Sequence, residues 1–69
     1  MSNEVKYPEI TVQLTGQDGN IFGLIGICTR AMRRANVSME ECNHFVDEVT
    51  SAKNYNEALA VIMRWVDVD

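Results

Sequence analysis

The 69 residues hold one histidine, one proline, one tryptophan and two cysteines, with glycine only at positions 16, 19, 23 and 26. Two cysteines close one bridge at most, so a disulfide framework is excluded. No basic stretch leading into an apolar run opens the chain, and no apolar run reaches membrane-spanning length. A cytoplasmic location is therefore expected, with Cys28 and Cys42 as free, buried structural thiols. Basic residues are scarce as well. Six Lys and Arg face ten Asp and Glu, for a net charge of −4 and a pI of about 4.7. That balance argues against a general affinity for nucleic acid or an anionic membrane. Repeats, linkers and low-complexity segments are absent.

Apolar residues make up 46% of the chain, enough for one small globular domain over 1–69, with 1–7 expected as a flexible lead. Such a domain buries only about 60% of the surface its unfolded chain exposes. Scaffolds of this size commonly need a disulfide, a metal or a partner subunit. The charge is also uneven. Residues 1–36 carry a net +1 and residues 37–69 a net −5, a polarity suited to head-to-tail pairing with a second copy or to a basic partner.

Residues 10–15, ITVQLT, alternate apolar and polar and predict a half-buried strand. Pro8 lies just ahead of it, and Gly16 to Gly19 is turn chemistry. Asn20 is placed to cap a helix over 20–35 with Ile21, Leu24, Ile25, Cys28, Ala31, Met32 and Ala35 on one apolar arc. Phe22 and Ile27 flank that arc, so the first two turns should be buried from more than one side. Asn36 stops the helix. Ser38 and Glu41 then form a capping box for a second helix, over 39–50, with Val37 stapled to Cys42. Its inward residues are Met39, Cys42, Phe45, Val46 and Val49; Glu40, Glu41, Asn43, His44, Asp47 and Glu48 face water. Asn54 and Glu57 start a third helix, over 55–64, with Tyr55, Ala58, Leu59 and Ile62 inward. Residues 65–68 continue that stripe but also alternate like a strand. A lone strand would leave its backbone groups unpaired, so 65–68 is expected to return to the first strand; pairing with another chain is the alternative. The fold class is α+β.

A strand, a glycine turn and a helix N-terminus is the layout of a phosphate site. Here neither phosphate motif is spelled, no lysine follows, and Asp18 would repel the anion. Gly23 and Gly26 differ, because each costs about 1 kcal/mol against alanine inside a helix. Their bare backbone can admit this chain's own terminal segment or a second protomer. Arg30, Arg33 and Arg34 suit the helix dipole; the further readings are pairing with carboxylates of a second copy or a partner, and, behind that, contact with a phosphate backbone. Glu41 and His44 spell E-x-x-H, but a bundle metal site needs two such motifs facing a core. No nucleophile, base and orienter converge. No catalytic residue, cofactor, metal or small-molecule ligand is therefore expected.

YPEITVQLTGQDGN, TRAMRRANVS and MRWVDV together resemble a group of short uncharacterised proteins from phage and bacterial genomes, over residues 7–68. The resemblance implies a small accessory protein of mobile-element origin and carries over no site. The expectation is a non-enzymatic protein–protein interaction module that binds a host protein. Its interaction surface would comprise Phe22, Gly23, Gly26, Arg30, Arg33 and Arg34. The alternative is a nucleic-acid-associated protein using the three arginines. A homodimer is also expected, because Phe22, Ile27, Val61 and Met63 fall off or at the margin of the main stripes.

Overall fold

Chain order is β1 (Tyr7–Val12), α1 (Ile21–Arg34), α2 (Met39–Thr50), α3 (Tyr55–Trp65) and β2 (Val66–Val68), in a computed structural model that describes residues 5–14 and 20–68. The architecture is a single α+β domain in which three helices connect two parallel strands. A parallel pair needs a long crossover, and here the whole helical body supplies it.

β1 covers 7–12 rather than 10–15. Its span is set by its partner. Trp65 is still helical, so only Val66–Val68 is extended, and Val66 lies opposite Tyr7 and Val68 opposite Val12. Three residues of β2 face six of β1, and the register is irregular between Tyr7 and Thr11. Pro8 sits in that irregular stretch, where its missing N–H removes nothing from the ladder. The alternation survives: Ile10 and Val12 are buried while Thr11 and Gln13 are exposed. The Lys6 amide donates to the Arg64 carbonyl at 2.9 Å, carrying the pairing one step beyond β1. Lys6 and Tyr7, placed in the expected flexible lead, are thus engaged by α3 and β2. Thr15 and the turn through Gly19 lie outside the described residues.

The helix starts follow the expected chemistry. Asn20, Ser38 and Asn54 accept from the amides of Phe22, Glu41 and Glu57, each satisfying a donor that the helix cannot. The end of α1 turns on Asn36, whose φ is 68°. The Asn36 amide donates to the Arg33 carbonyl and the Val37 amide to the Met32 carbonyl, both at 3.0 Å. Asparagine tolerates this left-handed position, and the paired bonds close the helix with Val37 buried beside it.

The core is Phe45, Met32, Ile62, Val66 and Cys28, fully enclosed, with Ile10, Val12, Leu24 and Trp65 around them. Both cysteines are free and buried. Four expectations need correction. α1 is buried on one face only: Phe22 is 71% exposed, and Gly23, Gly26 and Ala35 face outward. Met39 and Tyr55, expected inward, are exposed because each is the first residue of its helix and projects past the packed turns. Val61, expected at the margin, is buried with Trp65 one turn on. Glu41 and Glu48, expected to face only water, both accept hydrogen bonds from aromatic residues.

Candidate interaction surface

Phe22, Gly23, Gly26, Arg30, Arg33 and Arg34 fall within an arc of roughly 120° on α1 at 3.6 residues per turn, and all six are exposed. The opposite arc (Leu24, Ile25, Cys28, Met32) is in the core, so packing of that stripe fixes where the outer face points. The six residues named from the sequence are therefore brought together on one side of the molecule.

The face has two halves. Toward the N-terminus, Phe22 stands beside a small apolar hollow of about 260 Å³ shared with Ile21, Ile25, Val49, Tyr55 and Ala58. Among the described residues, no atom lies within 4 Å of where a Cβ on Gly23 or Gly26 would stand. Residues 65–68 therefore do not pack there, and that part of the expectation is corrected. The fold-back of 65–68 goes to β1 instead.

Toward the C-terminus the face is cationic. Arg33 reaches the Met39 sulfur at 3.5 Å. Arg30 and Arg34 have no carboxylate or hydrogen-bond partner among the described residues, where the ion pairs are Lys6–Glu41 and Arg64–Glu48. The last carbonyls of α1 favour these charges through the helix dipole, which explains their presence but leaves their guanidinium donors open. Arg30 lines an open groove on each side of the helix, one toward β1 and one toward α2.

A second cluster escaped the sequence reading. Glu41 Oε1 accepts from Tyr7 Oη at 2.9 Å and lies 2.8 Å from Lys6 Nζ. Lys6 Nζ stands 4.3 Å from the centroid of the Trp65 ring. Tyr7 stacks on Trp65 at 6.1 Å, Phe45 meets the indole edge-on at 5.5 Å, and the indole N–H donates to Glu48 at 2.7 Å. The hydrogen bonds from Lys6 and Tyr7 hold the Glu41 carboxyl below its ordinary range. The bond to Glu41 raises Lys6, and desolvation, then its own hydrogen bond to Glu41, raises Tyr7. Every polar group here is matched within the chain, so the cluster is a clasp that fastens the start of β1 to α2 and α3. The alternation of YPEITV and the E-x-x-H letters gave no hint of it; only the sheet register brings Tyr7 beside Trp65.

The residues considered for chemistry do not converge. His44 is exposed on α2, and the described residues contain no group of three metal-ligating side chains. Burial pushes the Cys28 thiol up to about 11, away from a nucleophilic thiolate. No helix is long and apolar enough to cross a membrane, among the described residues. No protein-family model, curated protein or solved structure matches the chain.

Proposed function

We propose that this chain is a non-enzymatic protein-binding module acting by stoichiometric occupancy through the outer face of α1. One observation carries the reading: on that face an exposed phenylalanine and two arginines that have no partner among the described residues share a single helix side. Aromatic and arginine side chains are the types that most often anchor protein interfaces. The buried thiols and the exposed His44 support placing no chemistry on the chain. A host protein is the target that the phage-like resemblance implies.

Self-association belongs to the same proposal and uses the N-terminal half of the face. Phe22 would supply the apolar contact, while Gly23 and Gly26 let a second α1 approach closely. Phe22 and Met63, at 71% and 55% exposed, retain the surplus apolar surface noted in the sequence; Val61 no longer contributes to it.

A photo-crosslinking side chain at Phe22, used in the native host, tests the reading. Crosslinks to one protein other than the chain itself, lost when Arg30 and Arg34 become glutamate, are expected. Crosslinks that survive both charge reversals would overturn it. So would a salt-sensitive shift of DNA or RNA that the same reversals abolish, since that result moves the arginines to a phosphate backbone.

A further inference from the structure

β1 pairs with β2 alone among the described residues, so the far edge of β1 carries no described strand. On the side of β1 away from β2 lies an open groove of about 480 Å³. Residues 9–13 form one wall; Ile27, Arg30, Ala31 and Arg34 of α1 with its C-cap Ala35 form the other, and no residue of β2 or α3 lines it. Four consecutive strand residues and Gln13 beside two turns of helix means that the two elements run alongside each other there.

We infer that this groove is a strand-addition site for an extended acidic segment of a partner protein. The inference rests on the protein-binding reading above and names the partner's chemistry. An unpaired strand edge offers main-chain donors and acceptors to an added strand, and the floor of small apolar residues leaves room for its side chains. Arg30 and Arg34 select the charge. They are four residues apart, about 6 Å along the helix axis, close to the roughly 6.7 Å between alternate residues of a strand. Carboxylates at alternate positions of the added segment would therefore meet both guanidinium groups, each able to form paired hydrogen bonds. Glu9 stands in the same groove and disfavours a carboxylate beside it, which fixes the acidic pair toward the arginines. The chain already contains a small precedent on its other edge, where Val66-Asp67-Val68 adds to β1 and Thr11 Oγ1 lies 3.5 Å from an Asp67 carboxylate oxygen.

A second copy fits the groove less well. Joining two β1 edges across a two-fold axis would turn Arg30 and Arg34 of one protomer toward the same residues of the other, a like-charge contact.

The test uses the full isotope-labelled chain, titrated with a short capped peptide alternating valine and aspartate. A peptide with lysine in place of aspartate is the control. Expected are shifts confined to the amides of residues 9–13 and the side-chain signals of Arg30 and Arg34, with the lysine peptide silent. Arg30→Glu with Arg34→Glu should weaken binding at least about tenfold. Lys53→Glu, an exposed cation outside the groove and off α1, should change it less than about twofold. No shift at millimolar peptide, shifts elsewhere on the surface, or equal loss with Lys53→Glu would each overturn the inference. Protection of the 9–13 amides that tracks dimer formation would also overturn it, since the edge would then belong to a second copy. Crosslinking at Phe22 to a partner, with no peptide bound, would remove the strand-addition site and leave the protein-binding reading standing.

Discussion

Gly23 and Gly26 should be removable at a gain. Both lie within α1, and nothing among the described residues stands within 4 Å of the Cβ that alanine would add. Gly26, in mid-helix, forfeits about 1 kcal/mol against alanine. Gly23, in the first turn beyond Asn20, forfeits about 0.5–1 kcal/mol through backbone entropy. The double variant Gly23→Ala/Gly26→Ala should therefore gain about 1.5–2 kcal/mol, provided that the unfolded state is similarly solvated in both chains. In a domain of this length that is a rise in Tm of roughly 6–15 °C. Thermal and urea unfolding, followed by helical circular dichroism and by the fluorescence of Trp65, measure it at a concentration low enough to hold the monomer. A loss of stability there would refute the reasoning, because it would mean that the bare backbone is already covered within one chain. At high micromolar concentration the sign is expected to reverse in sedimentation. If a second α1 packs on the glycines, the added methyls block it and the variant stays monomeric where the parent dimerises. A parent that sediments only at the 7.8 kDa monomer mass would end the self-association proposal and leave the stability gain untouched.

Phe45→Leu should cost about 1–3 kcal/mol, from lost volume in a fully enclosed site and a lost edge-on contact with Trp65; an unchanged urea midpoint would contradict the packing described. Glu41→Gln should flatten the acid limb of the stability profile. The Glu41 carboxyl is lowered in the fold, so its contribution is complete above 4.5 and is lost as pH falls through the folded value. Parallel acid limbs in parent and variant would remove the clasp from the account. At the alkaline end the raised Lys6 and Tyr7 act in the opposite sense, contributing below their ordinary values of 10.5 and 10.0 and failing as pH rises. Cys28, enclosed and with its thiol near 11, should react with a disulfide reagent only at the rate at which the fold opens. Reaction at the denatured-chain rate would place it outside the core.

What the sequence made legible was local. Asn20, Ser38 and Asn54 cap their helices because a cap depends on residues two or three positions apart. Asn36 ends α1 for the same reason, its side chain tolerating a positive φ that others resist. The apolar stripe of α2 placed Cys42, Phe45 and Val49 correctly because 3.6-residue spacing survives any tertiary arrangement. The clasp was illegible because Lys6, Tyr7, Glu41 and Trp65 meet only once the parallel register is set. Glu41 shows the conflict most clearly. As the third residue of α2 it suits a capping box, yet its carboxylate goes to Tyr7 and Lys6, and only the Ser38 half of the box carries over. In α3 the reciprocal half shifts by one residue, with Glu57 accepting from the Lys53 amide. The candidate face was legible in membership but not in cause. Spacing grouped Gly23, Gly26, Arg30 and Arg33, whereas the groove beside Arg30 exists only because β1 lies along α1.

The charge that a partner meets is not the charge that the composition counts. The chain carries a net −4, which argues for a basic partner. Yet the clasp neutralises Lys6 against Glu41, and Glu48 lies 4.0 Å from Arg64 while accepting from Trp65. Those groups are occupied on the side of the molecule where α2, α3 and the strand ends meet. Arg30 and Arg34 are left open on the opposite side of the core stripe of α1. Screening at physiological salt extends over about 8 Å, so an approaching segment responds to the groups within that distance and not to the molecule's total. Among the described residues, the charged groups lining the groove on the β1 side of α1 are Arg30, Arg34 and Glu9. A protein that is acidic by composition is thereby suited to take an acidic strand at one edge. On the proposed reading, the acidic residues of α2 would disfavour such a segment along that helix.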